Sequence, residues 1–106
     1  MKENKENVNH PDHYQSCSIE CIQNMMIAFG EDYTLMWCLI TAYKYIYRYK
    51  FKNGIEDLKK AEWYLQYVDI YVNRNDINLF PPYFRDKENA IKNILNEEMR
   101  KSENES

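Results

Sequence analysis

The fold is decided by residues 42–65, which read AYKYIYRYKFKNGIEDLKKAEWYL. A single Asn53-Gly54 pair, a dipeptide typical of turns, separates two stretches of helix-compatible residues. After this pair, apolar residues recur every three or four positions as far as Val72, which predicts a helix from about Ile55 to Asn73. Two acidic residues lie in its first turn, where the positive end of a helix favours them.

The stretch before the pair predicts the other helix. It begins near Asp32 to Thr34, residue types that cap helices, and continues to about Lys50 or Phe51. Because the break between the two helices is short, we expect them to be antiparallel neighbours that form an αα-hairpin.

Two further helices are predicted to flank the hairpin. A stripe of apolar residues predicts a shorter helix from about Ser18 to Phe29, with Gly30 just past its end. After the hairpin, Asp86 is expected to cap a helix that runs through about Lys101. Its apolar face is narrow, which predicts docking on the body of the domain or on another subunit; the face consists of Ala90, Ile91, Ile94, Leu95 and Met99. The predicted fold class is therefore all-α.

The remaining segments read as tails and breaks. Residues 1–9 and 102–106 are polar and are expected to be disordered, which leaves one helical domain over residues 10–101 with its core motif region at 10–72. Pro11 predicts a turn-like or extended start for residues 10–14. Residues 73–82 are expected to be irregular, because Pro81-Pro82 stops any element there.

The composition restricts location and partners. No apolar run approaches the roughly 18 residues of a membrane span, and no signal peptide opens the chain, so we expect a cytoplasmic protein without a membrane partner. Ten tyrosines among 106 residues predict a homo-oligomer or a ligand surface, because tyrosine favours half-buried positions and interfaces.

The charge is distributed unevenly along the chain. Residues 42–60 carry a local charge of +4, although the whole chain sums to −3. An acidic protein is not expected to bind nucleic-acid backbones, which usually require a basic domain. A basic, aromatic-rich hairpin instead predicts a nucleotide ligand, with phosphates on the cations and the base on an aromatic ring.

The candidate binding residues lie on both helices of the hairpin. Lys44 and Arg48 are four apart and share a helix face, on which tyrosines surround Arg48. The predicted set for phosphate and base is Lys44, Tyr45, Arg48, Lys52, Lys59, Lys60, Trp63 and Tyr64. The competing interpretation is a solvated basic face with surface pairs such as Glu56 to Lys60, and aromatic residues that belong to the core.

The histidines and the acidic residues are weaker candidates. His10 and His13 could donate to phosphate or transfer a proton near neutral pH. Glu20, Glu56 and Asp57 are the acidic residues best placed to orient a lysine or to hold Mg²⁺ beside a nucleotide, although their spacing matches no metal motif.

Cysteine usage and missing motifs exclude other classes. The three cysteines, Cys17, Cys21 and Cys38, form neither a disulfide framework nor a common zinc pattern, and we expect buried thiols. The chain has no G-x-x-x-x-G-K-[ST] motif and only two glycines, so a P-loop cannot be built.

Several ordered segments resemble a known family. They are VNHPDHY at 8–14, IECI at 19–22, AYKYIYR at 42–48 and KNGIEDLKKAEWYL at 52–65. Over residues 8 to 70 the chain is similar to a short phage-encoded, nucleotide-kinase-like family, often described as a domain of unknown function and typified by a coliphage nucleotide kinase without a Walker motif.

The resemblance implies phosphoryl transfer between nucleotides in the host cytoplasm. In that hypothesis Lys44, Arg48, Lys52 and Lys59 hold the phosphates, Trp63 or Tyr64 holds the base, and His10 or His13 assists the reacting oxygen. Two alternatives stay open: a protein that only binds or sequesters a nucleotide, such as a phage counter-defence factor, and an oligomeric interaction protein.

Overall fold

The computed structural model describes residues 13–74 and 82–105, and the chain divides into two units, residues 1–34 and residues 35–106. The described residues form α-helices and one 3₁₀ turn, without a strand. In chain order they are α1 (His13–Phe29), α2 (Glu31–Arg48), the 3₁₀ turn (Tyr49–Phe51), α3 (Ile55–Arg74) and α4 (Pro82–Glu105). The all-α prediction is confirmed.

The first unit contains α1, which ends as the sequence predicts. Gly30 follows it with a φ of +91°, and its N–H donates to the Met26 carbonyl at 3.0 Å. Glycine adopts this left-handed conformation without the steric cost that a Cβ imposes. The predicted start near Ser18 was wrong, because the helix already includes His13 and Tyr14. Pro11 restricts only the residue before it, so it does not prevent a helix that starts two residues later.

The hairpin turn joins α2 to α3. The end of α2 tightens into the 3₁₀ turn at Tyr49, and Gly54 then adopts a φ of +63°. The Gly54 N–H donates to the Tyr49 carbonyl at 2.8 Å, while the Gly54 carbonyl accepts from the Asp57 N–H at 2.9 Å. One glycine therefore closes the turn on one side and begins α3 on the other. The predicted helix from Ile55 to Asn73 agrees with the observed Ile55–Arg74 within one residue.

The core of the second unit comes from stripes on α2, α3 and α4. Each stripe repeats at three and four residues, so its members share one helix face. The buried apolar residues are Leu35, Cys38, Leu39, Ala42 and Ile46 on α2, Tyr49 in the 3₁₀ turn, Leu58, Ala61, Tyr64, Leu65, Val68 and Val72 on α3, and Phe84 and Leu95 on α4. Burial of each large aliphatic side chain contributes about 1.5 to 3 kcal/mol.

Helix α4 is longer than predicted at both ends. It begins at Pro82 rather than near Asp86 and continues to Glu105, past the predicted end at Lys101. Proline suits the first turn of a helix, where its missing N–H has no intrahelical partner, so Pro82 starts this helix rather than only ending the segment before it. The segment 75–81 lies outside the described residues, as does the predicted tail at 1–9.

The docking of α4 follows only part of the predicted apolar face. Leu95 is buried, whereas Ala90 is exposed and Ile94 keeps 39% of its surface accessible. Phe84, which the predicted face did not include, is buried near the start of the helix. None of the described helices is long and apolar enough to cross a bilayer.

Candidate functional site

Three cations surround the ring of Tyr45. The Lys44 Nζ lies 5.0 Å, the Arg48 Cζ 4.9 Å and the Lys60 Nζ 5.4 Å from the ring centroid. Lys44 and Arg48 come from α2 and Lys60 comes from α3, so the hairpin brings them together. We call Lys44, Tyr45, Arg48 and Lys60 the Tyr45 cluster. The negative ring face attracts each cation, but the cations repel one another, and an anion between them would relieve that repulsion.

Other aromatic rings support the ring of Tyr45 from below. Tyr45 stacks on Tyr64 with 6.2 Å between centroids and 15° between planes. Tyr64 is buried and meets Trp37 and Trp63 edge to face, at 5.6 and 5.0 Å. Aromatic pairs in these geometries stabilise beyond their buried area, so the ring that holds the cations has a defined position.

A buried carboxylate fixes Arg48 in the cluster. The Arg48 Nε donates to the Asp57 Oδ2 at 3.3 Å and its Nη2 to the Oδ1 at 3.5 Å. The Asp57 side chain is fully buried and also accepts from the Asn53 backbone N–H at 3.2 Å and from the Asn53 amide at 3.3 Å. Burial raises the pKa of Asp57, but the Asn53 N–H and the Arg48 guanidinium outweigh this effect and hold the pKa below its usual value. Asp57 is therefore ionised at neutral pH.

The guanidinium of Arg48 keeps donors for another partner. A guanidinium carries five N–H donors, and Asp57 engages the Nε and Nη2 sides of this one. The Arg48 side chain remains 29% exposed. Within the part of the chain that the structure describes, its Nη1 donates to nothing, so the geometry suits a second anion on the outer side of the fork.

The other predicted binding residues lie apart from the cluster. Lys52, Lys59 and Glu56 are exposed, and no contact among the described residues joins either lysine to the Tyr45 ring. Trp63 is half-buried and stacks on Tyr67 at 5.8 Å. Lys60 lies at the ring of Tyr45 on the other helix, a contact that spacing along α3 alone does not predict.

The remaining predicted site residues fall in the first unit or outside the described residues. Glu20 is an exposed residue of α1, and His13 begins that helix. His10 lies outside the described residues. In the part of the chain that is described, no group of three or more histidine, cysteine or acidic side chains could hold a metal.

Cys21 and Cys38 are free thiols. Cys21 is exposed. Cys38 is buried, and burial raises the pKa of its thiol to about 12, so this side chain is a protonated core residue rather than a nucleophile or a metal ligand.

A second set of charges, which the sequence did not predict as a site, joins α3 to α4. The Lys92 Nζ lies 2.6 Å from the Asp69 Oδ2 and 3.4 Å from the Glu88 Oε2. The Arg85 Nη1 lies 2.7 Å from the Glu88 Oε1 and 3.7 Å from the Asp69 Oδ1. We call these four residues the α3–α4 charge cluster. Its members on α4 show helical spacing in the sequence, but Asp69 comes from another helix, so spacing alone could not reveal the set.

The two carboxyl groups of the α3–α4 charge cluster have different pKa values. Burial and the neighbouring Asp69 raise the pKa of the fully buried Glu88 to about 7. Burial also raises the pKa of Asp69, but its hydrogen bond with Glu88 and its contact with Lys92 outweigh this and lower the value. The pair therefore shares one proton at neutral or mildly acidic pH, with Asp69 as the carboxylate.

Residues 8–66 match a family model described as a protein of unknown function (DUF3310). No curated protein and no solved structure matches the chain. The matched segment contains the whole Tyr45 cluster, Asp57 and Trp63. It ends before Asp69, so the α3–α4 charge cluster lies outside it.

Proposed function

The chain belongs to the DUF3310 family, and from that premise we propose that it binds a nucleotide, with its phosphates on the Tyr45 cluster. The observation that carries the proposal is the convergence of three cations from two helices on one tyrosine ring. A phosphate group offers the charge and the acceptor oxygens that such a set of donors requires.

Each cation has a distinct role in this proposal. Arg48, oriented by Asp57, presents a planar fork to phosphate oxygens. Lys44 is exposed and has no ion pair among the described residues, so its ammonium group is available to the ligand. Lys60 completes the charge from the opposite helix.

The base is assigned to Trp63 rather than to Tyr64. Tyr64 is buried beneath Tyr45 and keeps only 8% of its surface accessible, so it offers no face to a ligand. Trp63 is half-buried, and its ring lies 5.0 Å from that of Tyr64. Base stacking on an exposed aromatic ring contributes about 1 to 3 kcal/mol and tolerates different bases.

Phosphoryl transfer is the catalytic form of the same proposal. It is supported by the resemblance to phage nucleotide kinases that lack a Walker motif, and it would place the protein in a host cytoplasm with Mg²⁺ on the nucleotide. His10 and His13 stay the predicted catalytic residues. Sequestration without turnover uses the same cluster, and the two forms differ only in whether the nucleotide leaves changed.

Calorimetry with a panel of mononucleotides tests the binding site. We expect Lys44→Gln to weaken binding by about tenfold or more, because a charge-assisted contact contributes about 1.5 to 3 kcal/mol. Lys52→Gln is the matched control, since it removes the same charge from an exposed lysine that does not contact the Tyr45 ring. It should change affinity less than twofold, in line with a screened surface charge.

Two further variants separate charge from stacking. Arg48→Lys should weaken binding while the protein stays folded, because an ammonium group cannot reproduce the fork. Trp63→Ala should also weaken binding, and this loss should depend less on salt than the loss in Arg48→Lys, because it removes a stacking surface. Equal losses in Lys44→Gln and Lys52→Gln, or no nucleotide binding by the native protein, would contradict the site.

Mass spectrometry of nucleotide pools incubated with the protein distinguishes turnover from binding. New phosphorylation states identify a kinase. An unchanged nucleotide that co-purifies identifies a binding protein.

A further inference from the structure

We propose that the outer face of α2 is the interface between two copies of this chain. Ile40, Tyr43 and Tyr47 project from it, and Phe51 of the following 3₁₀ turn continues the same row; these four side chains are 60, 48, 69 and 65% exposed. Together with Ile94 of α4 we call them the α2 seam. This inference does not depend on nucleotide binding, because none of the seam residues belongs to the Tyr45 cluster.

The residues of the α2 seam are spaced as in a helix that packs against a second helix. Its residues on α2 and the following turn are three, four and four positions apart, which keeps them on one face. The face that α2 buries is a different one, formed by residues such as Leu35, Cys38, Leu39 and Ala42. Helix α2 is thus apolar on two sides, and a surface helix normally needs only one. A second stripe at intervals of three and four is the pattern that packs one helix against another.

The seam carries both a projection and a recess. Tyr47 and Phe51 lie edge to face, with 6.0 Å between their centroids, and stand at the rim of a groove of about 330 Å³. Tyr43, Ile46 and Ile94 also line this groove. A twofold interface uses the same patch on both copies. The Tyr47 and Phe51 rings of each copy would therefore enter the groove of the other copy.

The area and the charges agree with a second copy as the occupant. Aromatic side chains bury about 150 to 250 Å² each, so three half-exposed aromatic residues and two isoleucines would bury roughly 500 Å² per copy and about 1,000 Å² in a dimer, which reaches the lower limit expected of a specific interface. Lys50 and Glu98 also line the groove. Glu98 already accepts from the Tyr49 hydroxyl at 2.8 Å and pairs with Lys101 at 3.3 Å. In a twofold pairing, Lys50 of one copy would add a further donor to the Glu98 carboxylate of the other.

Light scattering during size-exclusion chromatography of the full chain tests the proposal. At micromolar concentration we expect a mass twice that of the 13.0 kDa chain. Tyr47→Glu and Ile40→Glu should each weaken the dimer roughly 30-fold or more, because each buries an unpaired charge in the interface. Both side chains are mostly exposed within one copy, so circular dichroism should show unchanged helix content.

Ile70→Glu is the matched control. Ile70 is 54% exposed on α3 and is not part of the seam, so the same substitution there should leave the dimer intact. A native chain of single mass would overturn the proposal and leave the groove to a ligand or another protein. A dimer that survives both seam variants, or that only Ile70→Glu dissociates, would overturn it as well, because the interface would then lie elsewhere.

Discussion

At the scale of single residues, Asp57 links the stability of the hairpin to its proposed function. It is fully buried, and it accepts hydrogen bonds from Arg48 on one side of the turn and from Asn53 within it. A buried carboxylate is costly unless charged and polar donors surround it, and here the donors come from the cation of the proposed site. The contact that stabilises the buried Asp57 carboxylate therefore also orients Arg48 within the proposed site.

Gly54 adopts a backbone conformation that most other residues avoid. Its φ is +63°, and a Cβ added there would meet no heavy atom within 4 Å. The cost of a substitution is therefore backbone strain alone, about 1 to 2 kcal/mol for most side chains. We predict that Gly54→Val lowers the free energy of unfolding by at least this amount, because a branched Cβ suits the left-handed region poorly.

Urea denaturation with a graded series checks this prediction. Gly54→Asn should cost least, since asparagine tolerates the left-handed region, and Gly54→Ala should lie between asparagine and valine. If Gly54→Val unfolds at the same urea concentration as the native protein, the turn relaxes and does not require a positive φ.

At the scale of helices, the sequence predicted α3 well because independent signals coincide there. The apolar stripe, the glycine before Ile55 and the acidic first turn all indicate one start, and the observed helix agrees. The starts of α1 and α4 were missed for a shared reason. A proline lies near each of these starts, and proline disfavours a helix mainly for the residue before it while remaining compatible with a first turn.

The candidate site shows a similar division between local and tertiary information. Spacing of four residues placed Lys44 and Arg48 on one face, and both lie at the Tyr45 ring. Spacing could not tell which lysine of α3 would join them, because that depends on the rotation of α3 against α2. The structure brings Lys60 to the ring and leaves Lys59, its neighbour on α3, exposed.

The α3–α4 charge cluster gives the docking of α4 a pH dependence. The pKa of Glu88 is raised from 4.5 to about 7 in the folded protein, so folding retains a proton that the unfolded chain releases. This contribution to stability is complete below about pH 4.5 and is lost as the pH rises through 7. The pKa of Asp69 is lowered from 3.8, so its contribution is lost only at more acidic pH.

We therefore predict that the free energy of unfolding falls by about 1 to 3 kcal/mol between pH 5 and pH 8. Glu88→Gln should remove most of this slope, because an amide stays neutral and can still donate to Asp69. Glu97→Gln is the control, since Glu97 is an exposed residue of the same helix and its substitution should leave the slope unchanged. Chemical denaturation at both pH values measures the difference. A native protein more stable at pH 8 than at pH 5 would show that the neighbouring cations keep Glu88 ionised.

At the scale of the whole molecule, the distribution of charge favours a small anionic ligand over a long polyanion. The chain has a net charge of −3, although residues 42–60 carry +4. Fields from exposed charges extend about 10 Å at ordinary ionic strength, so a small anion at the Tyr45 cluster is attracted mainly by Lys44, Arg48 and Lys60, while the Asp57 carboxylate offsets part of the Arg48 charge. A long polyanion would extend beyond that range and approach acidic surface as well.

This contrast predicts that the binding free energy per phosphate is larger for a mononucleotide than for a single-stranded oligonucleotide. Proteins that bind nucleic-acid backbones gain affinity with each phosphate they neutralise, and their affinity falls steeply with salt in proportion to that number. Here we expect the affinity not to increase with oligonucleotide length. The affinity should also fall with salt only as steeply as two or three phosphate contacts predict. Fluorescence anisotropy with labelled mononucleotides and with oligonucleotides of increasing length measures both quantities, and Lys44→Gln should flatten the salt dependence of the mononucleotide. Affinity that rises with length would instead mean that the basic hairpin is part of an extended nucleic-acid surface and that the Tyr45 cluster is only one of its contacts.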